Sequence, residues 1–129
     1  MRQFVYISTA ADLGDGDIAA ILAASQRNNA LRDITGFLLY NGRNFLQLIE
    51  GPAASLLALM RDLHADRRHS GIVRLEDIPI AERDCADWIM RRIYLADEVA
   101  VRQDKLDSEL PMQLSAQTRR TVLNFAILN

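Results

Sequence analysis

The order of elements along the chain predicts an α+β fold: a ferredoxin-like β-α-β-β-α-β sheet with an extra strand and a C-terminal helical cap. Three observations lead there. Short β-branched and aromatic runs alternate with two helix-period segments in that order. The strands are apolar on both faces: Phe4, Tyr6 and Ser8 point one way and Val5 and Ile7 the other, and Phe45, Gln47 and Ile49 alternate with Leu46 and Leu48. Two helices cover one face, so the other needs a cover, and the apolar tail supplies it.

Each element has its own signal. Phe4–Ser8 reads as a first strand, and Asp12 to Gly16 as a turn in which Asp15 or Asp17 caps a helix. Ile18, Ile21, Leu22 and Ser25 then fall on one helical face. Asn28-Asn29 marks the expected end of that helix, because Asn tolerates the left-handed conformation there. Ile34–Tyr40 is the second strand, Asn41-Gly42 a hairpin turn, and Phe45–Glu50 the return strand, closed by Gly51-Pro52. The second helix carries Leu56, Leu57, Leu59, Met60 and Leu63, and the basic run Arg67-Arg68-His69 suits its C-terminus. Gly71–Leu75 starts a fourth strand and Trp88–Tyr94 forms a fifth. Residues 97–112, where charges and Pro111 break the pattern, read as a linker. Leu114, Val122, Leu123, Ala126 and Ile127 mark a tail helix from about Ser115 to Leu128, with Phe125 projecting off its apolar face.

Composition narrows the function. The 129 residues include 15 Lys+Arg and 17 Asp+Glu, a formal charge of −2, and half are hydrophobic. That length suits one domain, which buries about two-thirds of its unfolded surface. No segment approaches the ~20 consecutive apolar residues of a membrane span. Near-neutral charge argues against a dedicated nucleic-acid partner. The lone cysteine, Cys85, excludes an intramolecular disulfide framework and a multi-Cys metal site. The chain runs from Met1 straight into a strand pattern with no signal-peptide layout, so a cytoplasmic setting is expected.

Enzyme signatures are thin. Cys85 shares the chain with His64 and His69 but lies in no nucleophile motif, and His64, Asp66 and His69 do not share one helical face. There is no phosphate-binding Gly-rich loop. Arg27 and Asn29 leave one enzyme alternative, a ferredoxin-like hydrolase of acylphosphatase type with an anion loop. An RNA-recognition sheet would need exposed strand aromatics and basic charge. The distinctive feature is polar: Tyr6 and Gln47 share the helix-covered face, and Ser25, Asn28 and Asn29 end the helix above it. A buried polar group without a partner costs about 1–3 kcal/mol. These residues therefore bond each other and the backbone, or they bond a ligand.

The residues sit in a longer pattern: Tyr-Ile-Ser-x-Ala at 6–10, Arg-Asn-Asn at 27–29, Ile-Thr-Gly-Phe-Leu-Leu-Tyr at 34–40, Phe-Leu-Gln-x-x-Glu-Gly at 45–51, Asp-Arg-Arg-His at 66–69 and Trp-x-Met at 88–90. From residue 3 to about 95 this resembles the BLUF family of flavin-using blue-light sensors, in its short stand-alone form. The resemblance implies a flavin-binding domain over 1–96, holding FAD noncovalently between the two helices and the sheet, and a helical extension over 97–129 packed on the sheet. It implies that Tyr6 donates an electron and a proton to the excited flavin, and that Gln47 bridges the phenol to the flavin N5/O4 edge and rearranges. Asn29 would hold the imide edge with Asn28 and Ser25 beside the ring, while Asp66, Arg68 and His69 would place the ribityl or phosphate end. Trp88 and Met90 would relay the signal. Two positions depart from the family pattern: Cys85 stands where a bulky aromatic is usual, and Arg91 where glycine is common. The implied protein is no enzyme; it signals to a downstream effector, is expected to self-associate, and takes neither nucleic acid nor a membrane as partner.

Overall fold

The computed structural model describes residues 1–10, 13–67 and 70–128, so Arg68 and His69 lie outside the described residues. Its elements are β1 (Arg2–Thr9), α1 (Asp15–Arg32), β2 (Thr35–Tyr40), β3 (Asn44–Gly51), α2 (Ala53–Ala65), β4 (Ser70–Pro79), β5 (Arg91–Arg92), α3 (Val99–Glu109) and α4 (Ala116–Leu128). The sheet order is β4-β1-β3-β2-β5, antiparallel except for the parallel β2–β5 pair. This is the expected α+β architecture with its extra strand and helical cap.

The β2–β3 hairpin turns where Asn41-Gly42 predicts. Gly42 takes φ 94°, and the Asn41 side-chain oxygen accepts hydrogen bonds from the Arg43 and Asn44 backbone N–H groups at 3.1 and 2.8 Å. At the other end of the pair the strands approach so closely that a Cβ on Gly36 would lie 1.8 Å from the Leu48 carbonyl oxygen. Glycine is the only residue that fits.

The sheet separates two apolar layers. On the α1/α2 side Phe4, Tyr6, Leu38, Phe45 and Ile49 pack with Ile21, Leu56, Leu59 and Met90. On the other side Val5, Phe37, Leu39, Leu46 and Leu48 pack with Leu106, Leu110, Leu114, Val122 and Phe125. The cap is also bonded to the sheet edge: the Thr118 hydroxyl donates to Glu76 Oε1 at 2.8 Å.

Four local expectations change. First, α1 passes through Asn28-Asn29 to Arg32. The left-handed residue that ends it is Asp33 (φ 60°), and the Asn29 carbonyl accepts from the Asp33 and Ile34 N–H groups. Second, much of the supposed linker is helix α3. Leu106 is its one fully buried residue, too sparse a pattern to show a period. Arg102 fastens it by donating to the Ala96 and Ala126 carbonyls at 2.6 and 2.8 Å. Third, only Arg91–Arg92 of the fifth-strand run pairs as a ladder, although the Trp88 carbonyl and the Ile93 N–H still bond β2 backbone at 2.7 and 2.9 Å. Fourth, Phe125 is buried: the inner face of α4 is Thr118, Val122, Phe125 and Ala126, rotated from the expected stripe.

Candidate functional site

Tyr6 and Gln47 are direct partners across β1 and β3, and Gln47 is also paired with Leu38 of β2. Their side chains therefore rise from the two central strands into the α1/α2 layer. Both residues are buried. The Tyr6 hydroxyl has no hydrogen-bond partner among the described residues, so the two do not satisfy each other. Burial raises the Tyr6 pKa well above its ordinary value, so the phenol keeps its proton throughout the physiological range.

On α1, Asn29 is turned inward, and its side-chain oxygen and nitrogen are both buried and without partners among the described residues. A carboxamide offers donors and an acceptor side by side, and a phenol offers one of each. Leaving three such atoms unpaired costs several kcal/mol if nothing else occupies the layer. The set matches the edge of a planar heterocycle with alternating donors and acceptors, which is what a flavin presents.

The space open between the two helices is narrow, and Tyr6, Gln47 and Asn29 are not among its lining residues. A cavity of about 70 Å³ between α1 and α2 is lined by Ile21, Ser25, Asn28, Leu59, Asp62 and Asp66, among others. Small-molecule sites usually exceed ~300 Å³, so this cavity as it stands is too small for a tricyclic ring. α1 is lightly held: Ile18, Ile21 and Asn29 are the buried residues of its 18, and the Arg32–Asp62 ion pair bridges it to α2. On its other flank lies an open groove of about 560 Å³, lined in part by Leu22, Gln26, Trp88 and Met90.

The sequence places Trp88 and Met90 in one strand, and the structure puts them on opposite faces. Met90 is buried in the Tyr6 layer, while Trp88 packs edge-on against Phe37 in the cap layer, ring centroids 6.1 Å apart. Trp88 precedes the short ladder and follows a turn in which its N–H bonds the Cys85 carbonyl at 3.0 Å, so strand alternation does not govern it. Arg91 stacks its guanidinium 4.8 Å from the Trp88 ring centroid.

Two contributors escape sequence reasoning. Gln26 donates to the Met90 carbonyl at 3.0 Å, tying α1 to this segment. Glu50 is a fully buried carboxylate bonded to the turn at 84–85. Cys85 lies beside it, its thiol pKa pushed up by burial and then by the Glu50 and Asp84 charges. Such a thiol is a poor nucleophile. The hydrolase alternative also fails on geometry. Arg27 and Asn29 lie within α1, not on a loop, and Arg27 is exposed while Asn29 points inward.

A photoactivated adenylate cyclase subunit beta from Euglena longa is 37% identical over 92 residues, 70% of this chain and 11% of that protein. The blue light- and temperature-regulated antirepressor BluF of Escherichia coli is 40% identical over 58 residues, 45% of this chain and 14% of that protein. This chain thus spans a small part of these curated relatives. Among solved structures, the dark state of the BLUF protein BlrB aligns over 98% of this chain and 93% of its own, at 35% identity and TM-score 0.74. Klebsiella pneumoniae BlrP1 with FMN and cyclic diGMP aligns over 97% of this chain and 34% of its own, at 25% identity and TM-score 0.82. Residues 1–91 match the family described as "BLUF: Sensors of blue-light using FAD", and the chain belongs to that family of blue-light flavin sensors.

Proposed function

We propose that this chain is a blue-light receptor that binds FAD noncovalently, catalyses no turnover of its own, and signals to a separate effector protein. The observation that carries this reading is the Tyr6 hydroxyl opposite Gln47, buried and without a partner among the described residues, together with the equally unpartnered Asn29 amide. When bound, the flavin supplies the absorption of blue light and an excited ring that accepts an electron. The chain does the rest. Tyr6 holds its Oη proton in the dark and releases it with the electron it gives up; both return in the dark. Gln47 carries a donor and an acceptor on one amide, so turning it exchanges the two without changing net charge. Asn29 would hold the flavin's amide-like edge, and Asn28 and Ser25, which line the α1/α2 cavity, would flank it.

Asp66, at the cleft mouth, suits the ribityl hydroxyls better than phosphate, because a carboxylate accepts from hydroxyls and repels an anion. Arg68 and His69 are the candidates for the phosphate end. Gln26, Met90 and Trp88 connect the site to the sheet edge. The sensing unit is residues 1–96 and the cap is 97–129. Its rim, with Leu128, Val73 and Leu75 substantially exposed, is the candidate surface for self-association or the effector. No described helix is long and apolar enough to cross a membrane.

The test is to purify the protein, release its cofactor with acid and identify it chromatographically. About one FAD per chain is expected. Mostly FMN would correct the cofactor, and a chain that stays colourless after incubation with FAD would refute the reading.

A further inference from the structure

Glu50 is a carboxylate buried where an apolar side chain would fill the space at less cost, since a buried charge seldom adds net stability. It lies three residues beyond Gln47 on β3, about 10 Å along the strand, and faces the cap side of the sheet. Four donors converge on its two oxygens. Gln3 Nε2 and the Asp84 N–H reach Oε2 at 3.1 and 3.0 Å, and the Cys85 N–H reaches Oε1 at 2.6 Å. The fourth is the Thr35 hydroxyl, 3.1 Å from Oε1. Arg83 Nη1 donates to that hydroxyl oxygen at 2.9 Å, which leaves the Thr35 hydrogen for Glu50. Only a carboxylate that accepts at both oxygens satisfies this pattern.

The turn held in this way leads to Trp88. The Cys85 carbonyl accepts from the Trp88 N–H, and the Trp88 carbonyl accepts from the Gly36 N–H on β2. We propose that Glu50 is the positioning residue that ties the Gln47 segment of β3 to the turn at 84–88, delivering a shift of that strand to Trp88 and the cap. This deepens the light-sensor reading above and rests on it.

Trp88 is the only tryptophan in the chain, so its emission reports this turn alone. The experiment compares flavin absorption and Trp88 emission, in the dark and under blue light, in the flavin-loaded wild type and in Glu50→Gln. That variant keeps the size but turns an NH2 group toward a cluster of donors. The expected result is a red shift of flavin absorption in both, with the light-induced change in Trp88 emission at least threefold smaller in Glu50→Gln. Should Glu50→Gln not fold, Thr35→Val removes one donor and interrupts the Arg83–Thr35–Glu50 chain; there the Trp88 change falls at least twofold with the red shift intact. A Trp88 change of wild-type size in the folded variant overturns the proposal, and so does a wild type that shows the red shift with no Trp88 change. A wild type without the red shift refutes the sensor reading itself.

Discussion

Tyr6 and Gln47 face each other across β1 and β3, yet the Tyr6 hydroxyl bonds nothing among the described residues. Two polar side chains this deep in an apolar layer would ordinarily satisfy each other, because an orphaned group costs about 1–3 kcal/mol. That they do not is what the proposed flavin site would explain, with the ligand as third member. The Asn29 amide is buried and, among the described residues, equally unpaired, as a residue proposed for the same site should be.

On the proposed roles, Asn29→Ala would remove a ground-state contact to the flavin, while Gln47→Leu would remove a group needed chiefly for switching. The alanine variant should bind flavin about fivefold more weakly, equivalent to about 1 kcal/mol. Gln47→Leu should stay closer to wild type. Titration of the apoproteins with FAD checks this, and equal affinities would count against the Asn29 role.

Gly36→Ala should be among the most damaging single substitutions in the chain. Its Cβ would overlap the Leu48 carbonyl, which is backbone and cannot rotate away, so the β2–β3 pairing at Gly36–Ile49 must open. A loss of about 4 kcal/mol or more is expected in urea unfolding. Gly42→Ala at the hairpin, with open space around it but a positive φ, should cost only about 1 kcal/mol. Similar costs at the two sites would contradict the close approach.

Alkaline pH should destabilise the fold in two stages. Cys85 and Tyr6 are acids whose folded pKa values lie above their unfolded values near 9 and 10. Each therefore contributes stability that is present below its unfolded pKa and is lost as pH rises beyond it. Cys85 acts first, with about 1.4 kcal/mol lost by pH 10. Cys85→Ala should flatten the urea midpoint between pH 8 and 10 and leave the later fall due to Tyr6. An unchanged slope in that variant would show that the thiol plays no part.

Deleting residues 113–129 should leave the flavin site intact, because α4 packs on the opposite face of the sheet. It uncovers Val5, Leu46 and Leu48, so solubility falls and the association state or effector binding changes. A truncated chain that remains soluble, photoactive and unaltered in size and binding would make the tail a passive extension.

Much of this was legible locally. The period of two places Tyr6 and Gln47 on one face, and Asn41-Gly42 fixes the hairpin and hence the β2–β3 register. What escaped was long-range or sparse. Glu50 is held by residues 15 to 47 positions away, which no local pattern reveals. α3 buries little beyond Leu106, so its helical period has nothing to register against. α1 outlasts Asn28-Asn29 because Asn29 is turned inward and a later residue, Asp33, takes the left-handed cap. Trp88 and Met90 part company because the turn from Cys85 interrupts the strand before pairing begins.

The central claim is that the Tyr6–Gln47 pair completes a photoactive flavin site. One light-minus-dark absorption spectrum of the flavin-loaded protein tests it most directly, with Tyr6→Phe measured alongside. The account predicts a small red shift of the flavin bands under blue light that reverses in the dark, and no such shift in Tyr6→Phe despite full flavin occupancy. A wild type without a reversible shift, or a Tyr6→Phe variant that cycles normally, would contradict it.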